Sequence, residues 1–208
     1  RPASAREQVP WGKIFRSKEV ISVTLSYFTY GYAAWIFFSW FFIYLAKVRG
    51  LNLKSSAEYA MLPFLAMAAG SIIGGLISDR LMRSFNKRVG RCVFSFAAMI
   101  LAAVFIACGA FVQSALAASV LLAAGVGALY LSQSSYFSVS ADIAGPSSGS
   151  VSGFINTGGQ VGGAVTASLT PLIAAHYGWT TSFLVAATLC VLGGIAWLAV
   201  NPERSLAS

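Results

Sequence analysis

Charge is what this sequence has least of. Only 10% of its 208 residues are charged, and just six are acidic. A soluble domain carries about 25%, so an ordinary water-soluble fold is excluded. Histidine occurs once, at His176. The three cysteines, Cys92, Cys108 and Cys190, are scattered among apolar runs. There is no CxxC and no Cys/His cluster, so neither a zinc site nor a disulfide framework is expected. No cofactor is expected either. The N-terminus shows no signal-peptide pattern. Disorder is excluded by the opposite excess: 57% of the residues are hydrophobic and the mean hydropathy is +0.75.

What is present is long uncharged sequence. Residues 20–46 carry no charge for 27 positions, 59–78 for 20, 92–141 for 50 and 143–202 for 60. A bilayer-crossing helix needs about 20 apolar residues. The two longest runs have polar breaks, at Gln113-Ser114 and at His176-Tyr177-Gly178, so each holds two helices. The pattern predicts an all-α polytopic membrane protein with six spans, at 20–47, 56–81, 88–112, 115–141, 148–175 and 179–200. Residues 1–19 form a lead-in and 201–208 a tail. The runs are too long and too evenly apolar for β-barrel strands.

The net charge of +8 sits between the spans, which favours a lipid bilayer over nucleic acid as partner. Eleven of the 14 Lys and Arg fall on one side of a six-span zigzag. They are Arg1, Arg6, Lys13, Arg16, Lys18, Arg80, Arg83, Lys87, Arg88, Arg91 and Arg204. Only Lys47, Arg49 and Lys54 fall on the other. The bias predicts that both termini are cytoplasmic. Ser55-Ser56-Ala57-Glu58 reads as a capping box for the second span. Pro146 suits a helix start, and Gly50, Gly145 and Gly178 read as turns.

Small residues recur at four-residue steps in span two (Ala66, Gly70, Gly74, Ser78). Span five has two overlapping GxxxG registers (Gly158-Gly159 and Gly162-Gly163). In lipid such faces bring helices close; tight packing and a moving interface both remain open. No charged residue lies at the centre of a span, where ion-driven carriers usually keep one. Neutral polar groups gather instead. Tyr32, Trp35 and Ser39 share a face of span one. Span four has a patch around Gln133 and Phe137. Asn156 and Gln160 lie four apart in span five. Buried in lipid these groups must meet protein or water. They serve either interhelical hydrogen bonds or the wall of a solute cavity. Gly145-Pro146-Ser147-Ser148-Gly149 matches GxSxG, but no strand precedes it, so it is not a nucleophile elbow and no enzyme is expected.

The stretch Gly75-Leu76-Ile77-Ser78-Asp79-Arg80-Leu81-Met82-Arg83, with Asn86-Lys87-Arg88 after it, resembles the cytoplasmic loop motif of the major facilitator superfamily. Met82-Arg83 stands where the motif has Gly, as in the weaker copy between helices eight and nine. The stretch 149–163, with Asn156 and Gln160, is similar to helix eleven of that superfamily's anion:cation symporters. Trp40-Phe41 through Tyr44-Leu45 resembles their helix seven, and Asp142-Ile143-Ala144 the end of their helix ten. Phe137 stands where Trp is usual and Gln160 where Asn is usual. The resemblance implies the C-terminal half of a twelve-helix carrier, with its six helices arranged as two inverted three-helix repeats. The start at Arg1 rather than Met fits a piece of something longer.

The resemblance further implies a small organic anion as substrate, such as a sugar acid, and a coupling cation, expected to be a proton. It implies a bacterial inner-membrane location. The substrate arginine and coupling carboxylates would lie in the missing N-terminal half. The expected cavity wall is Tyr32, Trp35, Ser39, Gln133, Phe137, Asn156 and Gln160. Gly75, Asp79, Arg80, Arg83 and Arg88 would form the cytoplasmic gate, with Asp79 facing a helix start of the other half. Residues alone leave two other readings open: a complete six-helix channel or facilitator, and an inactive assembly subunit.

Overall fold

The computed structural model describes residue 9 and residues 11–204. Arg1 and Arg6, counted in the basic bias, lie outside these. A single turn, α1 (Trp11–Ile14), leads into α2 (Lys18–Ser39). Ser17 caps α2 by accepting from the Val20 N–H at 3.3 Å. The helix breaks at Trp40 (φ −127°), inside the expected 20–47 span. The chain then continues through α3 (Phe41–Ile43) and a π-helical turn, Tyr44–Val48, to Gly50, whose φ is +67°.

α4 (Leu53–Ser84) starts earlier than the capping box predicts. Asn52 is the cap: its Oδ1 accepts from the Ser55 N–H at 2.8 Å. Asn caps at least as well as Ser, and starting at Asn52 adds most of a turn. Glu58 is thereby freed from capping and lies 4.0 Å from Lys54 across one exposed turn. A π-helical segment, Arg88–Val93, leads into α5 (Phe94–Phe111). Ser114 caps α6 (Ala115–Leu131). α7 (Gln133–Ala144) follows after a break at Ser132 that the 115–141 span did not foresee. α8 (Ser148–Leu198) is divided by Gly178, at φ 85° and ψ 162°, into 148–177 and 179–198.

Among the described residues, four helical stretches are long and apolar enough to cross a membrane: Lys18–Ser39, Leu53–Ser84, Arg88–Phe111 and Ala115–Leu198. The last has 84 residues. At 1.5 Å per residue it would measure about 125 Å as one rod, against roughly 30 Å of hydrocarbon. It doubles back twice instead. Ser140 donates to the Ser148 carbonyl across the Gly145 turn, at 3.3 Å. Ser182 donates to the Thr170 carbonyl across Gly178, at 3.2 Å. Both turn glycines have positive φ, +49° and +85°, which suits residues without a Cβ.

Small residues set the packing. α2 lies along α8, where a Cβ on Gly162 would strike the Phe28 carbonyl and the Tyr32 nitrogen. Gly31 meets the Gly159 backbone, and Gly163 sits under the Trp35 indole. α4 lies along α6, with Gly70 against the Gly127 carbonyl and Gly74 against Leu131. Both small-residue faces are thus closely packed interfaces, as lipid-embedded helices require.

The two ends of the bundle differ in charge. At one end Arg204 pairs with Glu19 (3.3 Å), Lys87 with Asp142 (2.8 Å) and Arg91 with Asp79 (3.0 Å). Arg88 reaches the Leu198 carbonyl there at 3.5 Å. At the other end Arg49 donates to the Tyr44 hydroxyl at 2.6 Å and to the Gln113 carbonyl at 2.9 Å.

Candidate functional site

A cleft of about 200 Å³ opens between α2, α6, α7 and α8. Its α2 wall repeats at three- and four-residue steps: Tyr27, Tyr30, Gly31, Ala34, Trp35 and Phe38. Tyr130 comes from α6, Gln133 from the first position of α7, and Gln160 from α8 beside Gly159. Gly31 and Gly159 let the backbones of α2 and α8 meet behind it. No charged residue lines it.

The cleft has an aromatic floor. Tyr27 and Tyr30 stack at 5.1 Å, and Tyr136 tilts against Tyr27 at 4.5 Å. Tyr136 is held from behind by the Ser26 hydroxyl at 2.9 Å and by the Trp197 ring at 4.8 Å. Tyr130 approaches Tyr30 at 5.4 Å. Gln133 is fixed by the Ser71 hydroxyl of α4, which donates to its Oε1 at 2.7 Å. Such a surface offers flat apolar faces for a carbon frame and amide, indole and phenol groups for hydrogen bonds.

Of the seven residues expected on the wall, the structure brings Trp35, Gln133 and Gln160 together. Phe137 stands at the edge, its ring 5.9 Å from Tyr27. Asn156 is exposed one turn along α8, outside the cleft. Ser39 is half-buried at the end of α2, also outside. Tyr32 is 1% exposed, and its hydroxyl has no hydrogen-bond partner among the described residues. Tyr27, Tyr30 and Tyr130 line the cleft without having been singled out. Gly31, whose backbone meets Gly159, marks the face of α2 that admits α8.

The loop motif forms a second constellation. Arg91 donates from Nη1 to Ser78 Oγ (2.8 Å) and to Asp79 Oδ1 (3.0 Å). Ser78 in turn donates to the Gly90 carbonyl at 2.7 Å. Gly90 lies so close to Met82 that a Cβ would fall 2.6 Å from its nitrogen. Asp79 therefore meets Arg91 within this chain, and not only a helix start of the other half. Arg80 and Arg83 line a hollow of about 450 Å³ beside them, with Leu76 and Ser84. Gly75 faces Ser134 of α7 at ordinary contact distance, 3.9 Å from a built Cβ.

Among the described residues no cluster of His, Cys, Asp or Glu is arranged to hold a metal. Apolar helices of crossing length, packed on glycine faces around an uncharged polar-aromatic cleft, define an integral α-helical membrane protein. Comparison with known families makes this specific. The family model of the Major Facilitator Superfamily matches residues 1–167 and again 84–208. The chain belongs to the Major Facilitator Superfamily, whose members are membrane transporters and not enzymes. It is 32% identical over 201 residues to a probable sulfoacetate transporter of Cupriavidus necator, covering 96% of this chain and 46% of that protein. It is 28% identical over 198 residues to the hexuronate transporter of Bacillus subtilis, covering 93% and 47%. A chloroplast ascorbate transporter of Arabidopsis thaliana is 27% identical over 198 residues, covering 95% and 37%. The chain thus spans less than half the length of these relatives.

Proposed function

We propose that this chain is the C-terminal six-helix half of a secondary carrier for small organic anions. The six crossings would be residues 20–47, 56–81, 88–112, 115–141, 148–175 and 179–200, in two inverted three-helix repeats. The carrier would work by alternating access in a bacterial inner membrane, with both termini cytoplasmic and a proton as coupling ion. The solutes for which these relatives are named, sulfoacetate and hexuronate, support the anion class. Three of the four charged pairs among the described residues lie at one end of the bundle, with the pair of Lys54 and Glu58 at the other, which supports the orientation.

The observation that carries the reading is the cleft. It is polar, aromatic and free of charge, which suits the half of a carrier that grips hydroxyls and the carbon frame. The charge on the solute would be met by the N-terminal half, and so would the coupling carboxylates. Trp35, Gln133 and Gln160 would touch solute in every state. Ser39, Phe137 and Asn156 would reach it only as the halves rock, and Tyr32, buried within this half, would back the wall. Gly75, Asp79, Arg80, Arg83 and Arg88 would form the cytoplasmic gate.

Uptake by the full-length protein in liposomes tests this, with a labelled hexuronate and sulfoacetate as probe anions. Gln160→Leu removes a hydrogen-bonding side chain from the wall and is expected to lower uptake about tenfold. Asn156→Leu is expected to lower it less. Membrane insertion should be unaffected in both. Wild-type uptake by both variants would remove these residues from the wall. Asp79→Asn should slow cycling while leaving KM unchanged; unchanged turnover would reduce the loop motif to a topology signal.

A further inference from the structure

Ser71 belongs to no motif, yet it controls what the cleft presents. Its hydroxyl oxygen is 2.7 Å from Gln133 Oε1 and 3.0 Å from the Met67 carbonyl. A serine hydroxyl has one proton, so it serves one of these acceptors at a time. If the proton goes to Met67, Ser71 Oγ can only accept. Gln133 must then turn its NH2 toward Ser71 and show its carbonyl oxygen to the cleft. If the proton goes to Oε1, the amide's oxygen is occupied and its two N–H donors are left for the cleft. The structure has Oε1 on Ser71, which is the second arrangement.

Gln133 is suited to such control. It is half-buried and opens α7 immediately after the break at Ser132. Its side chain is tied to α4 through the Ser71 hydroxyl. The neighbouring Trp35 indole is a donor without acceptor capacity. With Gln133 held donor-out, the two together bias the cleft toward solute oxygens that accept hydrogen bonds.

We infer that Ser71 is a positioning residue that holds the Gln133 amide donor-out, so that this wall favours solute oxygens that accept hydrogen bonds over a donor group of similar shape. This rests on the transport reading above. The amide contact is made with the bound solute whichever way the carrier faces, so the orientation acts on affinity rather than on turnover.

The test compares Ser71→Ala, Ser71→Thr, Gln133→Ala and the double variant S71A/Q133A in the full-length protein, with the same two probe anions. Ser71→Ala frees the amide to flip and is expected to raise KM about fivefold with kcat unchanged. Ser71→Thr keeps the hydroxyl and should return KM to the wild-type value. In the Gln133→Ala background, Ser71→Ala should add nothing, because the group it positions is gone. A lower kcat with unchanged KM would mark Ser71 as a structural helix residue and overturn the inference. So would an equal effect of Ser71→Ala with and without Gln133. If the unaltered protein takes up neither anion, the transport reading fails first and this inference falls with it.

Discussion

Arg91 is 7% exposed, and its charge is answered by Asp79 and by the Ser78 hydroxyl. A buried charge that loses its partner is costly. Asp79→Asn leaves the hydrogen-bond geometry but removes the counter-charge, and is expected to lower stability by about 1–3 kcal/mol, read as thermal unfolding in detergent. Arg91→Lys should lower it as well: Nη1 alone serves both Ser78 and Asp79, and the shorter lysine stem does not bring an ammonium to that point. Wild-type melting of both variants would show that the network is solvent-screened and carries little. At this scale the sequence was legible where a residue acts alone. Gly50, Gly145 and Gly178 were read as turns and have positive φ. It was less legible where two residues compete: Asn52 and Ser55 are both good caps, and only the helix's chosen first turn decides between them.

Elements are joined here by backbone approach rather than by apolar side chains. The glycine faces of α4 and α8 were visible as four-residue steps, but their partners were not. Period alone shows a helix has a small face, not which helix fills it. The prediction at this scale uses two glycines of α8. Gly162→Ala places a methyl against the Phe28 carbonyl and should cost about 1–3 kcal/mol by overpacking. Gly149→Ala meets nothing within 4 Å and should leave unfolding unchanged or raise its temperature, since Ala favours helix. Equal effects of the two would mean that α2 and α8 do not pack as described. The breaks at Trp40 and Ser132 were hidden in the sequence because both lie inside uncharged runs and no Gly or Pro stands at either. The break at Ser132 is what puts Gln133 at a helix start. That helps explain why Gln133 could be picked by its chemistry but not its setting.

Across the whole molecule the governing asymmetry is charge. The bundle has a basic end holding Lys87, Arg88, Arg91 and Arg204 and an opposite end where Arg49 ties Tyr44 to the Gln113 carbonyl. Single cysteines placed at Arg83 and at Lys54 in a cysteine-free protein should be labelled from opposite faces of the membrane, Arg83 from the cytoplasm. Labelling of both from one face would break the proposed topology. The outline of the fold was readable because charge and apolar length obey bilayer physics directly. The cleft was only partly readable, since which face of α2 is open depends on where α8 lies. Tyr32 and Trp35 share a helix face by spacing, yet Tyr32 is buried and Trp35 lines the cleft.

The central claim is that the cleft between α2, α6, α7 and α8 receives the solute. Alkylation of Gln160→Cys in the cysteine-free full-length protein measures this directly, because position 160 lines the cleft and is exposed. Hexuronate or sulfoacetate should slow the labelling in a concentration-dependent way and leave a cysteine at Arg83 unaffected. Labelling of position 160 that neither anion changes, in a protein that transports one of them, would contradict the account.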